Sequence, residues 1–329
     1  MFLRRGESTK ATAIAHPIQG LIKYHGLRKP KQRIPYHDSI SVCIKALTTT
    51  TTVETSLNRR CDELTINGKE PIGKDRERIE TVLNTLKKIS KFPGSFKIAS
   101  KNSITTGKGL GFSASGFAAL GLAASDALGL ELDSISLSEI VRLGAGSSTR
   151  SLAGGFAIWY ADKNGRSYAE QLDVPENMRF SMVIVPIPSE VKTDEAHAEV
   201  LSSPLFKSRL RSIGGLLEEM KEAIRTGNVP AIGRLAEEDT LNLHAITMTG
   251  KSHMVLWEPD TIRLIKEVIR MRQEGIPAWY SIDTGPSVLI NTFSEKSGEI
   301  VERLRSVGFG NVFTGGTGGK AFLTHTHLF

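Results

Sequence analysis

Glycines crowd the stretch Thr105-Thr106-Gly107-Lys108-Gly109-Leu110-Gly111-Phe112-Ser113-Ala114-Ser115-Gly116, which runs straight into an alanine-rich helical pattern. Such a loop lets backbone N–H groups converge at a helix N-terminus, where the dipole favours an anion. It reads as a phosphate cradle or, more plainly, as a close-packed helix start that needs small residues. It is not a Walker A motif, because no Lys-Ser/Thr pair follows the last glycine, and it lacks the dinucleotide-binding spacing. A second small-residue loop, Gly144-Ala145-Gly146-Ser147-Ser148-Thr149-Arg150-Ser151, carries Arg150 and leads to Gly154-Gly155. Arginine offers a planar, permanently charged fork matched to carboxylate or phosphate oxygens, and a structural ion pair is its other common use. A third segment, Tyr280-Ser281-Ile282-Asp283-Thr284-Gly285-Pro286, places Asp283 at a strand-to-turn junction, where it either bonds turn amides or acts on a substrate with a partner. A fourth, Thr314-Gly315-Gly316-Thr317-Gly318-Gly319, approaches phosphate or turns a hairpin.

Other chemistries find less support. The histidines fall at unrelated spacings, so no metal site is expected. Gly111-Phe112-Ser113-Ala114-Ser115 misses the closing glycine of a nucleophile elbow, which removes serine hydrolysis. Phosphate chemistry is the shared theme.

The elements that must position these residues read as mixed α and β. Strands are expected over 39–46 and 48–53, where β-branched residues suit a pleated surface. Asn67-Gly68 suits a type I′ turn and predicts a hairpin between 64–66 and 69–72. Apolar residues at Ile79, Val82, Leu83, Leu86 and Ile89 predict a helix over 75–88 with one buried face. Helices are expected at 113–128, buried on most sides, and at 136–143, capped by Ser136. The second half reads as strand 180–188, helices 208–225, 230–247 and 260–274, and strands 278–282 and 286–292. Helix 295–307 follows, with a last strand at 311–314 that continues after a glycine loop. A domain boundary is expected near 170–180.

With 40% hydrophobic and 23% charged residues, the 329-residue composition excludes disorder, and two cysteines exclude a disulfide framework. A reducing, cytoplasmic compartment is the expectation, with no secretory leader and no membrane span. The net charge of +7 leaves nucleic acid, a membrane surface or a small polyanionic substrate open. Basic residues are dispersed, densest at Arg28, Lys29, Lys31 and Arg33, and aromatics make up 6% of the chain. That leaves no stacking platform, and no nucleic-acid partner is expected.

Together these segments resemble the GHMP kinase superfamily, and within it the mevalonate-pathway decarboxylases. Ile22-Lys23-Tyr24-His25-Gly26-Leu27-Arg28 and Ile34-Pro35-Tyr36-His37-Asp38-Ser39-Ile40-Ser41 are similar to two signatures of that family. The glycine loop at 107–116 is similar to its phosphate loop. The resemblance implies an α+β, GHMP kinase-like two-lobed fold with mixed and antiparallel sheets and packed helices. It implies domains 1–175, bearing the phosphate loop, and 176–329, bearing the catalytic aspartate, with the active site in the cleft between lobes. It assigns catalysis to Asp283 and Arg150, Arg150 holding a substrate carboxylate. Gly109, Gly111 and Ser113 would receive a phosphate, and Lys23, Tyr24, Ser147, Ser148 and Lys192 would bind the rest of the substrate. A homodimer is implied as well.

His25 and Leu27 stand where the family signature has tryptophan and lysine, which resembles the archaeal branch acting on mono- or bisphosphorylated mevalonate. Phe112 is expected to crowd nucleotide phosphates, and Ala145 replaces a serine. The leading expectation is therefore a mevalonate 3,5-bisphosphate decarboxylase that makes isopentenyl phosphate with no cofactor required. The alternative is a phosphomevalonate decarboxylase using ATP and Mg2+, and a third is a mevalonate 3-kinase.

Overall fold

The computed structural model describes residues 9–105, 109–189 and 193–329. Thr106, Gly107 and Lys108 of the glycine loop, and Lys192, lie outside the described residues. In chain order the elements are β1 (Lys10–Ala15), β2 (Ile18–Ile22), β3 (Leu27–Lys29), β4 (Ile34–Pro35), β5 (Ser39–Cys43), β6 (Thr49–Ser56), β7 (Glu63–Ile66), α1 (Gly73–Ser90), β8 (Ser95–Asn102), α2 (Phe112–Ala127), α3 (Ser134–Gly144), α4 (Ser148–Ala153), β9 (Phe156–Trp159) and β10 (Ala169–Gln171). The second half adds β11 (Phe180–Val185), α5 (Thr193–Glu199), α6 (Phe206–Arg225), α7 (Val229–Met248), α8 (Pro259–Gln273), β12 (Trp279–Ser281), β13 (Val288–Phe293), α9 (Ser297–Ser306), β14 (Phe313–Gly315) and β15 (Phe322–Thr324).

Among the described residues three larger sheets form, ordered β15-β1-β6-β8-β7, β10-β9-β5-β2 and β12-β13-β11-β14. Among the described residues only β7 and β8 pair in parallel. The all-buried run of β11 shows how the layers form. Successive side chains of a strand point to opposite faces, so Phe180, Met182 and Ile184 enter one core with α6 and α7, while Val183 and Val185 enter another with α8 and α9. The first of these cores also contains Leu21, Ile22, Ile40 and Val42, so residues from both halves of the sequence share it. The last strand, β15, returns to pair with β1 in the first sheet.

The helix after the glycine loop, α2, is apolar on nearly every side and packs on β1 and β6. Its small residues allow close approach. A Cβ at Gly121 would fall 2.2 Å from Val141 of α3, and one at Gly144 would fall 2.1 Å from the Phe117 ring. Alanine and glycine on this face are packing requirements as much as propensity.

Several expected elements differ in detail. Asn67 and Gly68 do adopt positive φ, and Ile66 bridges Lys69, but no return strand follows. Pro71 lacks the N–H that a ladder needs, the chain enters α1, and β7 takes β8 as its neighbour instead. Ser136 is not the cap of α3. Asp133 is, its carboxylate accepting the Ser136 N–H at 2.6 Å. Ile89 is exposed rather than on the buried face of α1. β1–β4, β8, β9, β10, α4 and α5 went unanticipated, because most are short and alanine and lysine are poor strand signals.

Gly111 caps α2 at φ +72°, and a Cβ there would lie 2.4 Å from the Ile18 carbonyl oxygen. Gly111→Ala is expected to destabilise the protein by about 1–3 kcal/mol, seen as a lower midpoint in thermal unfolding. Gly116→Ala, inside α2 with open space around it, should leave the midpoint unchanged or raise it.

Candidate active site

A cavity of about 1080 Å³ opens over the start of α2. Lys23, Tyr24, Gly109, Gly111, Ser113, Ser147, Arg150 and Asp283, far apart in sequence, all line it. Beyond the loop it continues along Leu64, Ile66, Ile98, Asn67, Ser100 and the start of α1. Ser148 is not among the lining residues. It is fully buried, and its hydroxyl donates to the Val141 and Ala145 carbonyls at 2.8 and 2.6 Å, satisfying the end of α3. The glycine segment 314–319 also stays outside the cavity. It packs on the Gly154-Gly155 turn, where a Cβ at Gly154 would fall 2.1 Å from the Lys320 nitrogen.

Arg150 is 2% exposed. One guanidinium nitrogen donates to the Ser39 hydroxyl at 2.9 Å, and the group lies 5.5 Å from the Tyr24 ring centre and 5.8 Å from that of Trp159. Among the described residues its Nε finds no hydrogen-bond partner and no carboxylate forms an ion pair with it. Burial lowers its pKa to about 10, against the pull of Tyr24 and Asp283, so it is still charged at neutral pH. A buried charge is expensive unless paired, and this one faces a cavity. Gly146 keeps the approach open, since a Cβ there would meet the Trp159 ring at 2.5 Å and the Tyr24 hydroxyl at 2.9 Å.

Asp283 follows β12 and is held by the Gly20 N–H, which reaches its two carboxylate oxygens at 3.1 and 3.0 Å. A side chain at position 20 would force Lys23 or Asp283 out of place, because a Cβ would lie 2.7 Å from Lys23 and 2.9 Å from the Asp283 carboxylate. Burial raises the Asp283 pKa, opposed first by Lys23, then by the Gly20 N–H and Arg150. The arrangement gives a carboxyl group and a guanidinium facing one space. At its other side Ser113 is exposed at the first turn of α2, whose Gly111 cap has no side chain to occupy the helix's N–H groups.

Residues that sequence reasoning missed complete the site. Lys23 donates from Nζ to Thr240 and Ser281 at 3.0 and 2.9 Å, and its backbone N–H donates to Asp239 at 2.8 Å. Arg209 donates to the Lys23 carbonyl at 2.6 Å and to the other Asp239 oxygen at 2.7 Å. Asp239 and Arg209 did carry a signal: each falls on the buried stripe of its helix, in line with Leu235 and Leu243 or with Ile213 and Leu217. His25 pairs with the Thr284 hydroxyl at 2.8 Å and meets the ring of His197, on which Tyr24 stacks. Among the described residues no group of three or more His, Cys, Asp or Glu is placed to hold a metal ion.

Residues 15–169 match the diphosphomevalonate decarboxylase-like N-terminal domain, and residues 192–315 match the mevalonate 5-diphosphate decarboxylase C-terminal domain. A phosphomevalonate decarboxylase of Haloferax volcanii is 39% identical over 303 residues, covering 91% of this chain and 93% of that protein. The human diphosphomevalonate decarboxylase is 29% identical, covering 85% of this chain and 78% of its own. Among solved structures, mevalonate diphosphate decarboxylase from Staphylococcus aureus superimposes with a TM-score of 0.91 at 27% identity, covering 97% of this chain and 99% of that one. The Enterococcus faecalis enzyme gives 0.89 at 28% identity, covering 97% of this chain and 100% of its own, in work on ATP binding mediated by mevalonate diphosphate.

Burial also holds histidines neutral: His37 is lowered to about 4 and His244 to about 3. The unfolded chain protonates histidine near 6.5, so below that pH it takes up protons the folded state refuses. Stability present at neutral pH is therefore lost as pH falls from about 6.5 toward 4, with a slope of up to about 1.4 kcal/mol per pH unit per group. Thermal midpoints recorded from pH 7.5 to 5 should fall, and more shallowly in His244→Phe. An equal slope in the variant would contradict this assignment.

Proposed function

The chain belongs to the diphosphomevalonate decarboxylase-like family, and from that premise we propose that it decarboxylates mevalonate 5-phosphate to isopentenyl phosphate, with ATP as phosphoryl donor. The observation that carries this reading is the continuity of the cavity. It joins the Arg150–Asp283 end to a slot beyond the phosphate loop, walled by Leu64, Ile66 and Ile98 and edged by Asn67 and Ser100, which offers a purine apolar faces and polar edges. Phe112 packs partly against the neighbouring core, and the cavity extends past it. The Haloferax volcanii relative is named for the same monophosphorylated substrate, and the Enterococcus faecalis structure concerns ATP.

In this reading Asp283 takes the proton of the substrate's 3-hydroxyl as that oxygen attacks the γ-phosphorus and ADP leaves. The C3–O bond then breaks, releasing inorganic phosphate. The C1–C2 electron pair becomes the new C2–C3 bond as carbon dioxide departs. Arg150 grips the carboxylate in line with the breaking bond, in a site dry enough for the charge to count. The first turn of α2 and Ser113 receive the phosphate carried by the 3-oxygen. Tyr24, Ser147 and Lys192 are assigned to the remainder of the substrate. Magnesium, when present, would shield the phosphates, with the nucleotide itself supplying most of its ligands.

A second reading keeps the fold and drops the nucleotide: mevalonate 3,5-bisphosphate as substrate, with Asp283 only stabilising positive charge at C3. Phe112 and Ala145, both lining the cavity at the loop, favour it. Phosphorus NMR separates the two readings. Isopentenyl phosphate from mevalonate 5-phosphate with MgATP supports the first. Product from the bisphosphate alone, with none from the MgATP mixture, selects the second, and product from neither contradicts both. Under the first reading Asp283→Asn should lower kcat by about 10²–10⁴-fold. Near-normal turnover in that variant would remove Asp283 from the chemistry.

A further inference from the structure

The buried cluster of Arg209 on α6 and Asp239 and Thr240 on α7 does not line the cavity, yet it holds Lys23, which does. Asp239 is 0% exposed and Arg209 2%. The Asp239 carboxylate accepts the Lys23 backbone N–H on one oxygen and an Arg209 N–H on the other, and it lies 3.8 Å from the Lys23 ammonium group. Arg209 also donates to the Lys23 carbonyl and to Asn242. One residue along α7, Thr240 accepts both from Lys23 Nζ and from the backbone N–H of Ile282, the neighbour of Asp283. Ser281, the other partner of Lys23 Nζ, donates to the Gly20 carbonyl, and the Gly20 N–H holds the Asp283 carboxylate. A continuous set of short contacts thus runs from α7 to the reacting end of the cavity.

We propose that Asp239 is a positioning residue, acting through Lys23: it fixes a positive charge behind Asp283, so that Asp283 is a carboxylate when substrate arrives. This rests on Asp283 being the base of the proposed reaction. The electrostatics run the same way through Lys23. The groups facing Asp283 itself are Lys23 and Arg150, which favour its ionised form, and Asp239, whose direct charge raises the Asp283 pKa but is a smaller influence than Lys23. Burial pulls the Lys23 pKa down, and Asp239 is the strongest opposing influence. Burial pushes the Asp283 pKa up, and Lys23 is the strongest opposing influence there. The charged and titratable groups facing Lys23 are Asp239 from α7, Arg209 from α6 and Asp283, with His25 and His244 within its field. Arg209 repels Lys23, so without the Asp239 charge the lysine is left beside a second buried cation.

The test is the acid limb of kcat against pH in four variants. Asp239→Asn keeps an oxygen for the Lys23 N–H and removes the charge, and Lys23→Met removes the ammonium group with a side chain that tolerates burial. Lys23→Met is expected to move the limb toward neutral pH by about 1 unit or more, and Asp239→Asn to move it in the same direction by less, because it also removes the direct repulsion between Asp239 and the Asp283 carboxylate. The double variant is expected to move no further than Lys23→Met, because both changes act on one link. Asp239→Glu should restore the limb at least in part. An unmoved limb in Lys23→Met, or a fall in kcat uniform across pH in Asp239→Asn, would overturn the proposal. Asp283→Asn runs alongside: if it retains turnover, the assignment of the base has failed, whereas an inactive Asp283→Asn with an unmoved limb in the other variants sinks only the role of Asp239.

Discussion

A guanidinium buried with no carboxylate partner among the described residues is the constraint from which the rest of this site follows. Arginine does not escape the cost of burial by losing its proton at neutral pH, as lysine or histidine can. Arg150 is therefore supported by a hydroxyl from Ser39, the faces of Tyr24 and Trp159, and the more distant attraction of Asp283. None of these neutralises it in contact. The remaining charge is left for an anion entering from the cavity, and the fold is arranged to leave that approach clear. Gly146 and Gly20 lack side chains where a Cβ would strike the walls of the site, and Gly111 lets the chain turn into α2 against the backbone of Ile18.

The proposed reaction adds a second constraint, that an acid residue stay ionised in the same poorly solvated space. Asp283 has one N–H donor and no hydrogen bond from a charged side chain among the described residues, so its ionisation depends on charges placed nearby. Those charges come from separate elements. Lys23 follows β2, Arg150 sits on α4, and the helices that hold Lys23 come from the second half of the chain. The core shared by β2, β5, β11, α6 and α7 is what keeps them in register.

Much of this was legible in the residue order. The glycine loop before α2, the arginine after the second small-residue loop, and the aspartate after a short strand all reach one cavity. The long helices of the second half announced themselves by periodicity, since each buries one stripe. Where the reading failed, the reason was local ambiguity settled by distant contacts. Asn67-Gly68 made its turn, but a proline and the neighbouring β8 decided which strands paired. Ser148 looked like one more hydroxyl of a binding loop, yet it serves two carbonyls of α3. Asp239 and Arg209 were readable as charges on apolar stripes, but their meeting at Lys23 depends on how α6 packs on α7 and β2.

The central claim, that the charge of Arg150 is a seat for the substrate's carboxylate, is tested most directly by calorimetric binding without nucleotide. Two ligands would be compared: mevalonate 5-phosphate, and the same phosphate ester with a methyl group in place of the carboxylate. The account predicts that the protein prefers the carboxylate-bearing ligand by about tenfold or more, as expected for a charge-assisted pair out of water, and that Arg150→Met erases the preference while still binding the phosphate. Equal affinity for the two ligands, or a preference that survives in Arg150→Met, would contradict it.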